Sequence, residues 1–208
     1  MLGVDRLDYT KGVRERLLAF ERLLERYPYW RKRVSMIQIS VPSRIHVPEY
    51  AAHKQEIDQL VGNINSRFSE DDWVPVVYLY RSYPQEELSA FYREADVCFV
   101  TSLRDGMNLV AKEFIASQSD NPGVLILSKF CGAAEDLQEA LIVNPNDIDE
   151  TTNALRSALE MPQGERCDRW QVLMKRVCTH TARAWCDRFL TDLIHVEKVT
   201  NRVHASCL

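Results

Sequence analysis

Apolar runs of strand length alternate along this 208-residue chain with helix-length amphipathic stretches, and that alternation restricts the fold more than any other feature. Val13, Leu17, Phe20, Leu24 and Tyr27 recur at helical spacing, with Arg14, Glu15, Arg22 and Glu25 between them, which predicts a surface helix over 13–27. Residues 35–41 read as a strand. Residues 49–64 read as a helix introduced by Pro48, with Ile57, Leu60, Val61 and Ile64 on one face. The next strand is 74–80, where Pro75 lacks an N–H for the ladder and is expected to confine pairing to the first residues. Ser82, Pro84 and Gln85 mark a helix start running to about Glu94. Residues 96–101 are short, apolar and rich in β-branched and aromatic side chains, which suits a strand buried on both faces. Strands at 124–127 and 140–143 flank a helical turn at 131–137. A helix capped by Asp147 then runs to about Glu160, where Pro162 and Gly164 break it. Helices over 165–179 and 182–197 follow. Strands joined by helices of this length form a parallel sheet through right-handed crossovers, so the expected class is α/β with helices on both faces and a ligand site outside the carboxyl ends of the strands. Without internal repeat or linker, residues 1–196 read as one domain and 197–208 as a poorly ordered polar tail.

A net charge of −4, with Lys and Arg dispersed among Asp and Glu, gives no global electrostatic case for nucleic acid or an anionic membrane. Any phosphate site must therefore be local. No apolar run approaches ~18 residues, and the N-terminus lacks the pattern of a signal peptide, so a cytoplasmic location is the simplest inference. Cys98, Cys131, Cys167, Cys178, Cys186 and Cys207 form no C-x-x-C pair, and His46, His53, His180, His195 and His204 are equally dispersed. Neither a disulfide framework nor a metal site is expected, and Cys98, Cys178 and Cys186 read as small hydrophobes within elements. Trp30, Trp73, Trp170 and Trp185 are too separated for an aromatic binding strip and read mostly as packing residues.

Three loops are expected to converge at the carboxyl edge of the sheet. The first, Asp5-Arg6-Leu7-Asp8-Tyr9-Thr10-Lys11-Gly12, places two cations beside a helix N-terminus, where Arg6 as a fork and Lys11 as a point charge could clamp a diphosphate. The alternative is that Arg6 pairs with Asp5 or Asp8 for structure. The second loop, Val41-Pro42-Ser43-Arg44, offers Arg44 to another anion, or simply to solvent. The third runs Arg104-Asp105-Gly106-Met107-Asn108-Leu109-Val110-Ala111-Lys112-Glu113. Gly106 would supply the permissive turn, and from about Met107 first-turn amides would point at the loop. Asp105 could accept from sugar hydroxyls and Glu113 could take two adjacent hydroxyls, or both could be ordinary helix-start and helical acids. Arg104 could partner Asp105, and Lys112 reads as surface by helical phase. Phe130-Cys131-Gly132-Ala133-Ala134-Glu135 is either a close approach for a ligand or a packing turn.

Taken together, the motifs from Gly3 to Gly12, from Ser40 to Arg44 and from Arg104 to Glu113 resemble the donor-binding half of the trehalose-6-phosphate synthase family, over residues 2–193. These are glycosyltransferase family 20 enzymes, retaining glucosyltransferases with two Rossmann-like domains, the GT-B fold. The resemblance implies that this chain is the C-terminal, UDP-glucose-binding domain of an enzyme transferring glucose from UDP-glucose to glucose 6-phosphate, in trehalose biosynthesis. It implies that Arg6 and Lys11 meet the donor diphosphate, Arg44 the acceptor phosphate, Asp105 the transferred glucose and Glu113 the uridine ribose. Gly106, Met107, Asn108, Leu109 and Val110 would supply backbone groups, and Tyr83 is the candidate for the base pocket. Arg6, Lys11 and Asp105 would carry the catalysis, with no metal and no other cofactor. Relatives can carry an arginine beside Tyr83; this chain has Pro84 there, so that contact is not implied. The resemblance also implies an N-terminal acceptor domain that is absent here, so the chain by itself is expected to bind UDP or UDP-glucose weakly and not to make trehalose 6-phosphate efficiently. A related transferase with another acceptor, such as glycerol 3-phosphate, and a non-catalytic nucleotide-sugar module stay open at this point, as does a homo-oligomer of the full-length protein.

Overall fold

The computed structural model describes residues 1–205, and in it the strands all pair in parallel. They are β1 (Leu2–Arg6), β2 (Met36–Val41), β3 (Val76–Leu79), β4 (Val97–Val100), β5 (Val124–Ser128) and β6 (Leu141–Val143), in the spatial order β3-β2-β1-β4-β5-β6. Between them run α1 (Val13–Arg26), α2 (Pro48–Phe68), α3 (Gln85–Glu94), α4 (Leu109–Ser117) and the single turn α5 (Ala133–Asp136). After β6 come α6 (Ile148–Glu160), α7 (Gln163–Thr179) and α8 (Ala182–Ala205). This is the α/β sheet expected from the alternation.

Period-two alternation decides which helix covers which face. In β4, Val97 and Phe99 join one cluster with Leu17, Phe20 and Leu24 of α1, Ile57 and Ile64 of α2 and Leu155 of α6. Cys98 and Val100 point the other way, into a second cluster with Tyr92 of α3, Phe114 and Ile115 of α4 and Leu173 of α7. Both faces are buried, which is why β4 and the Val124–Leu127 stretch of β5 read as unbroken apolar runs.

Several boundaries differ from those expected. Pro75 precedes β3 instead of truncating it: the Pro75 carbonyl accepts from the Met36 amide, and all of Val76–Leu79 pairs with β2, so the ladder begins where donors become available. β3 is an edge strand, where a neighbouring proline is tolerated. Pro162 does end α6, but Gly164 lies inside the first turn of α7. Helix α2 runs four residues past Ile64, to Phe68, which is buried in the first cluster. Cys178 and Cys186 are exposed, unlike buried Cys98 and Cys131. Trp185 is 57% exposed and stacks on Phe189 at 5.4 Å, so it does not pack in a core. Helix α8 continues through much of the segment read as a polar tail, and 206–208 lie outside the described residues, as does Cys207. Among the described residues no helix is long and apolar enough to cross a membrane.

Candidate functional site

The strand order reverses direction beside β1: the chain moves outward to β2 and β3, then returns to place β4 on β1's other flank. In such sheets the loops after the two strands at the switch point diverge and leave a crevice. Here those are the β1–α1 and β4–α4 loops, and backbone hydrogen bonds tie them together. The Leu103 and Arg104 amides both donate to the Thr10 carbonyl, at 2.8 and 3.3 Å, and the buried Thr101 hydroxyl donates to the Gly12 carbonyl at 2.8 Å.

Local chemistry shapes each loop. Asp8 accepts from the Thr10 amide at 2.9 Å and the Thr10 hydroxyl at 2.7 Å, folding Tyr9–Lys11 into a 3-10 turn that ends on Lys11. Gly12 then takes φ 62 and starts α1. In the second loop the permissive role expected of Gly106 falls to Asn108, which adopts φ 78, accepts from the Ala111 amide at 3.1 Å and so caps α4 at Leu109, two residues later than expected. Asn108 also donates to Asp105 Oδ2 at 3.0 Å. The first-turn amides of α4, at Leu109 and Val110, have no acceptor within the helix. The β5–α5 segment buttresses this loop. Asp105 donates its amide to the Phe130 carbonyl and accepts from Gly132, while Ala133 donates to Met107. A Cβ on Gly132 would overlap the Gly106 carbonyl oxygen, so this glycine is required by packing, and with Glu135 it also lines the depression next to the concavity described below.

Arg6, Lys11, Asp105, Met107, Asn108, Leu109 and Val110, with Asp5, line one open concavity of about 330 Å³ at this switch point. Lys11 Nζ and Asp105 Oδ2 meet in it at 2.7 Å, across 94 residues of sequence. Gly106 turns away, lining with Met107 an adjoining depression of about 480 Å³ against Trp185 and Phe189 of α8. Glu113 sits one turn into α4 outside the concavity, accepting from the buried Tyr92 hydroxyl at 3.1 Å. Burial, then the Glu113 carboxylate, push the Tyr92 phenol well above its ordinary range.

Two further predicted residues lie elsewhere along the same edge. Arg44, at φ 45, is exposed and donates to the Tyr50 hydroxyl at 2.8 Å, which donates in turn to Asp8 Oδ2 at 2.9 Å. Tyr83, after β3, packs edge-on against Phe91 and carries Arg81 on its ring face, with Arg81 Nε 2.6 Å from the hydroxyl. Pro84 is extended and leads into α3.

The local pairings suggested by sequence do not form. Asp5 is taken by Arg16 and Asp8 by Thr10 and Tyr50, so among the described residues neither holds Arg6. Asp105 pairs with Lys11, not Arg104. Lys112 is largely covered and lies 3.6 Å from Asp136, because α5 packs beside α4. Arg16 is the functional-site neighbour that sequence reasoning missed. It is fully buried on α1 and donates to Asp5 Oδ2 at 2.6 Å, Gln38 Oε1 at 2.9 Å and Thr101 Oγ1 at 3.1 Å. A signal for it existed: Arg16 lies three residues after Val13 and four before Phe20, on the apolar stripe.

Burial pulls the Asp105 carboxyl toward neutrality, but bonds from Lys11 and Asn108 and the Lys11 charge outweigh it, holding the carboxyl below its ordinary value. A depressed folded-state value contributes stability above the unfolded value and loses it as pH falls through the folded one. Thermal midpoints are therefore expected to drop from about pH 4 downward, and to drop less steeply in Asp105→Asn. Parallel acid profiles for the two proteins would show that the pair contributes nothing.

Glycosyltransferase family 20 matches residues 1–195. A trehalose-6-phosphate synthase of Sinorhizobium fredii is 47% identical over 194 residues, covering 93% of this chain and 42% of that protein. Among solved structures, an alpha,alpha-trehalose-phosphate synthase (UDP-forming) from Burkholderia xenovorans in complex with glucose-6-phosphate superposes with TM-score 0.89 at 47% identity, over 92% of this chain and 43% of that one. An E. coli protein bound with UDP-2-fluoro glucose gives TM-score 0.89 at 42% identity, over 92% and 43%. The chain thus spans less than half the length of these relatives. With nearly its whole length matched, and the strand order, loops and switch-point crevice in place, the chain belongs to glycosyltransferase family 20.

Proposed function

We propose that this domain holds UDP-glucose for transfer of its glucose, with retention, to glucose 6-phosphate, giving trehalose 6-phosphate and UDP. The observation that carries the reading is the concavity where Arg6, Lys11, Asp105 and the start of α4 face one space at the switch point. Departure of UDP leaves negative charge on the diphosphate. Arg6, Lys11 and the first-turn amides of α4, which have no acceptor within the helix, are suited to stabilise that charge as it develops. Asp105 would accept from glucose hydroxyls and Glu113, one turn into α4, from the ribose, while Arg44, further along the edge, would meet the acceptor phosphate. Tyr83 is the candidate for the base. The relatives solved with glucose-6-phosphate and with UDP-2-fluoro glucose support both substrate classes.

Lys11 is engaged by Asp105 in this structure. Donor binding therefore exchanges that pair for contacts to phosphate and sugar, each group keeping a charged or polar partner. Arg6→Ala and Lys11→Ala are each expected to weaken UDP binding roughly 10- to 100-fold, about 1.5–3 kcal/mol for a charged hydrogen bond. Calorimetric titration of the chain and both variants with UDP, UDP-glucose and glucose 6-phosphate provides the check. Absence of UDP binding at millimolar ligand, or unchanged affinity in both variants, would sink the assignment.

A further inference from the structure

Face alternation puts Gly3 and Asp5 of β1, Gln38 and Ser40 of β2, and Thr101 just after β4 on the side of the sheet covered by α1. This patch between otherwise apolar clusters has one occupant, the Arg16 guanidinium, which reaches all three strands. Gly3 makes the room, since a Cβ there would overlap Arg16 Nη1 and Gln38 Oε1. Arg16 Nη2 is buried with no partner among the described residues. Burying a donor without a partner is unfavourable, and a buried ion pair contributes little net stability over apolar packing. The effect of the arrangement is instead directional. Arg16 Nε donates to Thr101 Oγ1, Thr101 Oγ1 donates to the Gly12 carbonyl, and Gly12 follows Lys11; Thr101 itself stands four residues before Asp105.

We propose that Arg16 is a positioning residue, which acts through Thr101 to hold the β1–α1 and β4–α4 loops in register and so sets where Lys11 and Asp105 meet in the concavity. The proposal rests on the donor-site reading for its consequence in binding, though not for its geometry. Arg16 never touches the ligand space: it is fully buried behind Asp5 and is not among the residues lining the concavity.

The test uses Arg16→Lys, which keeps a cation opposite Asp5 but loses the planar fork, and Thr101→Val, which keeps volume and removes the linking hydroxyl. Thr101→Ser, retaining the hydroxyl, serves as the conservative rescue. Without ligand, the Asp105 carboxyl followed by carbon NMR is expected to titrate higher in Arg16→Lys and Thr101→Val than in the parent and Thr101→Ser, because Lys11 no longer sits on it. With ligand, UDP affinity is expected to fall about tenfold in the same two variants, and this loss is expected to vanish in a Lys11→Ala background. A merely structural role would instead lower thermal midpoints equally in both backgrounds and leave the Asp105 titration unmoved. Folded Arg16→Lys and Thr101→Val proteins with parental Asp105 titration and parental UDP affinity overturn the proposal, as does an affinity loss that persists without Lys11. If the parent chain binds no UDP, the donor-site reading fails and the ligand-free titration still decides the positioning role.

Discussion

Arg16→Met is expected to destabilise the fold by about 3–5 kcal/mol, the range for stripping one partner from a buried ion pair. The side chain is fully buried and Asp5 is nearly so. Burial already pushes the Asp5 carboxyl toward its neutral form, against the pull of the Arg16 charge. Without the guanidinium, Asp5 keeps the desolvation and loses its partner, while Gln38 Oε1 and Thr101 Oγ1 each lose a donor. Domains of this kind have about 5–15 kcal/mol to lose, so the variant is expected to be marginal at ambient temperature. Asp5→Asn added to Arg16→Met removes the stranded charge and is expected to recover about 1–3 kcal/mol, leaving the unsatisfied amide and hydroxyl as the residue of the effect. Urea unfolding of the parent, single and double variants measures both steps. A single variant within about 1 kcal/mol of the parent would mean that Asp5 is served by water or by a rearranged Gln38, contrary to this account.

Arg16 also marks where sequence reading stops being sufficient. Strands and helices were legible because burial imposes period two on β4 and period near 3.6 on α1, and both patterns survive in the residues themselves. Even the convergence of distant loops followed from parallel pairing alone. Pairing of individual charges did not. Arg6 and Asp5 are adjacent in sequence and of opposite charge, yet neighbours on a strand point to opposite faces, so Asp5 faces α1 while Arg6 stays exposed. The true partners, Arg16 for Asp5 and Lys11 for Asp105, are set by tertiary packing across 11 and 94 residues. Lys112 is a similar case: helical phase placed it in solvent, but phase knows nothing of α5 beside it.

The glycines show the same limit from the backbone side. Gly106, the glycine expected to supply the turn after β4, has open space where a Cβ would go and no left-handed backbone, so Gly106→Ala is expected to change stability by less than about 0.5 kcal/mol. The turn's unusual dihedral belongs to Asn108, a residue that tolerates it through its own side-chain bonds to Ala111 and Asp105. Gly12 is the opposite case. At φ 62 any L side chain is strained by about 1 kcal/mol, and a Cβ would overlap the Thr101 carbonyl oxygen, a backbone atom at the end of β4 that cannot rotate away.

Gly12→Ala is therefore expected to cost about 2–4 kcal/mol, combining the strained dihedral with at least one lost buried hydrogen bond. Relief of the overlap requires the β1–α1 loop to lift from β4. That motion pulls the Gly12 carbonyl from the Thr101 hydroxyl and the Thr10 carbonyl from the Leu103 and Arg104 amides, the bonds that hold the two loops together. Lys11, immediately before Gly12, would move with them and leave Asp105. Stability and UDP affinity should consequently fall together in Gly12→Ala, whereas Lys11→Ala should lower affinity with a smaller loss of stability, about that of one charged hydrogen bond, because Asp105 still accepts from Asn108. Denaturant unfolding and UDP titration of the two variants side by side separate a loop that has lost its seat from a loop that has lost one charge. A Gly12→Ala protein that retained parental stability would show that the loop can leave β4 freely, and would remove the structural basis for placing Lys11 at the switch point.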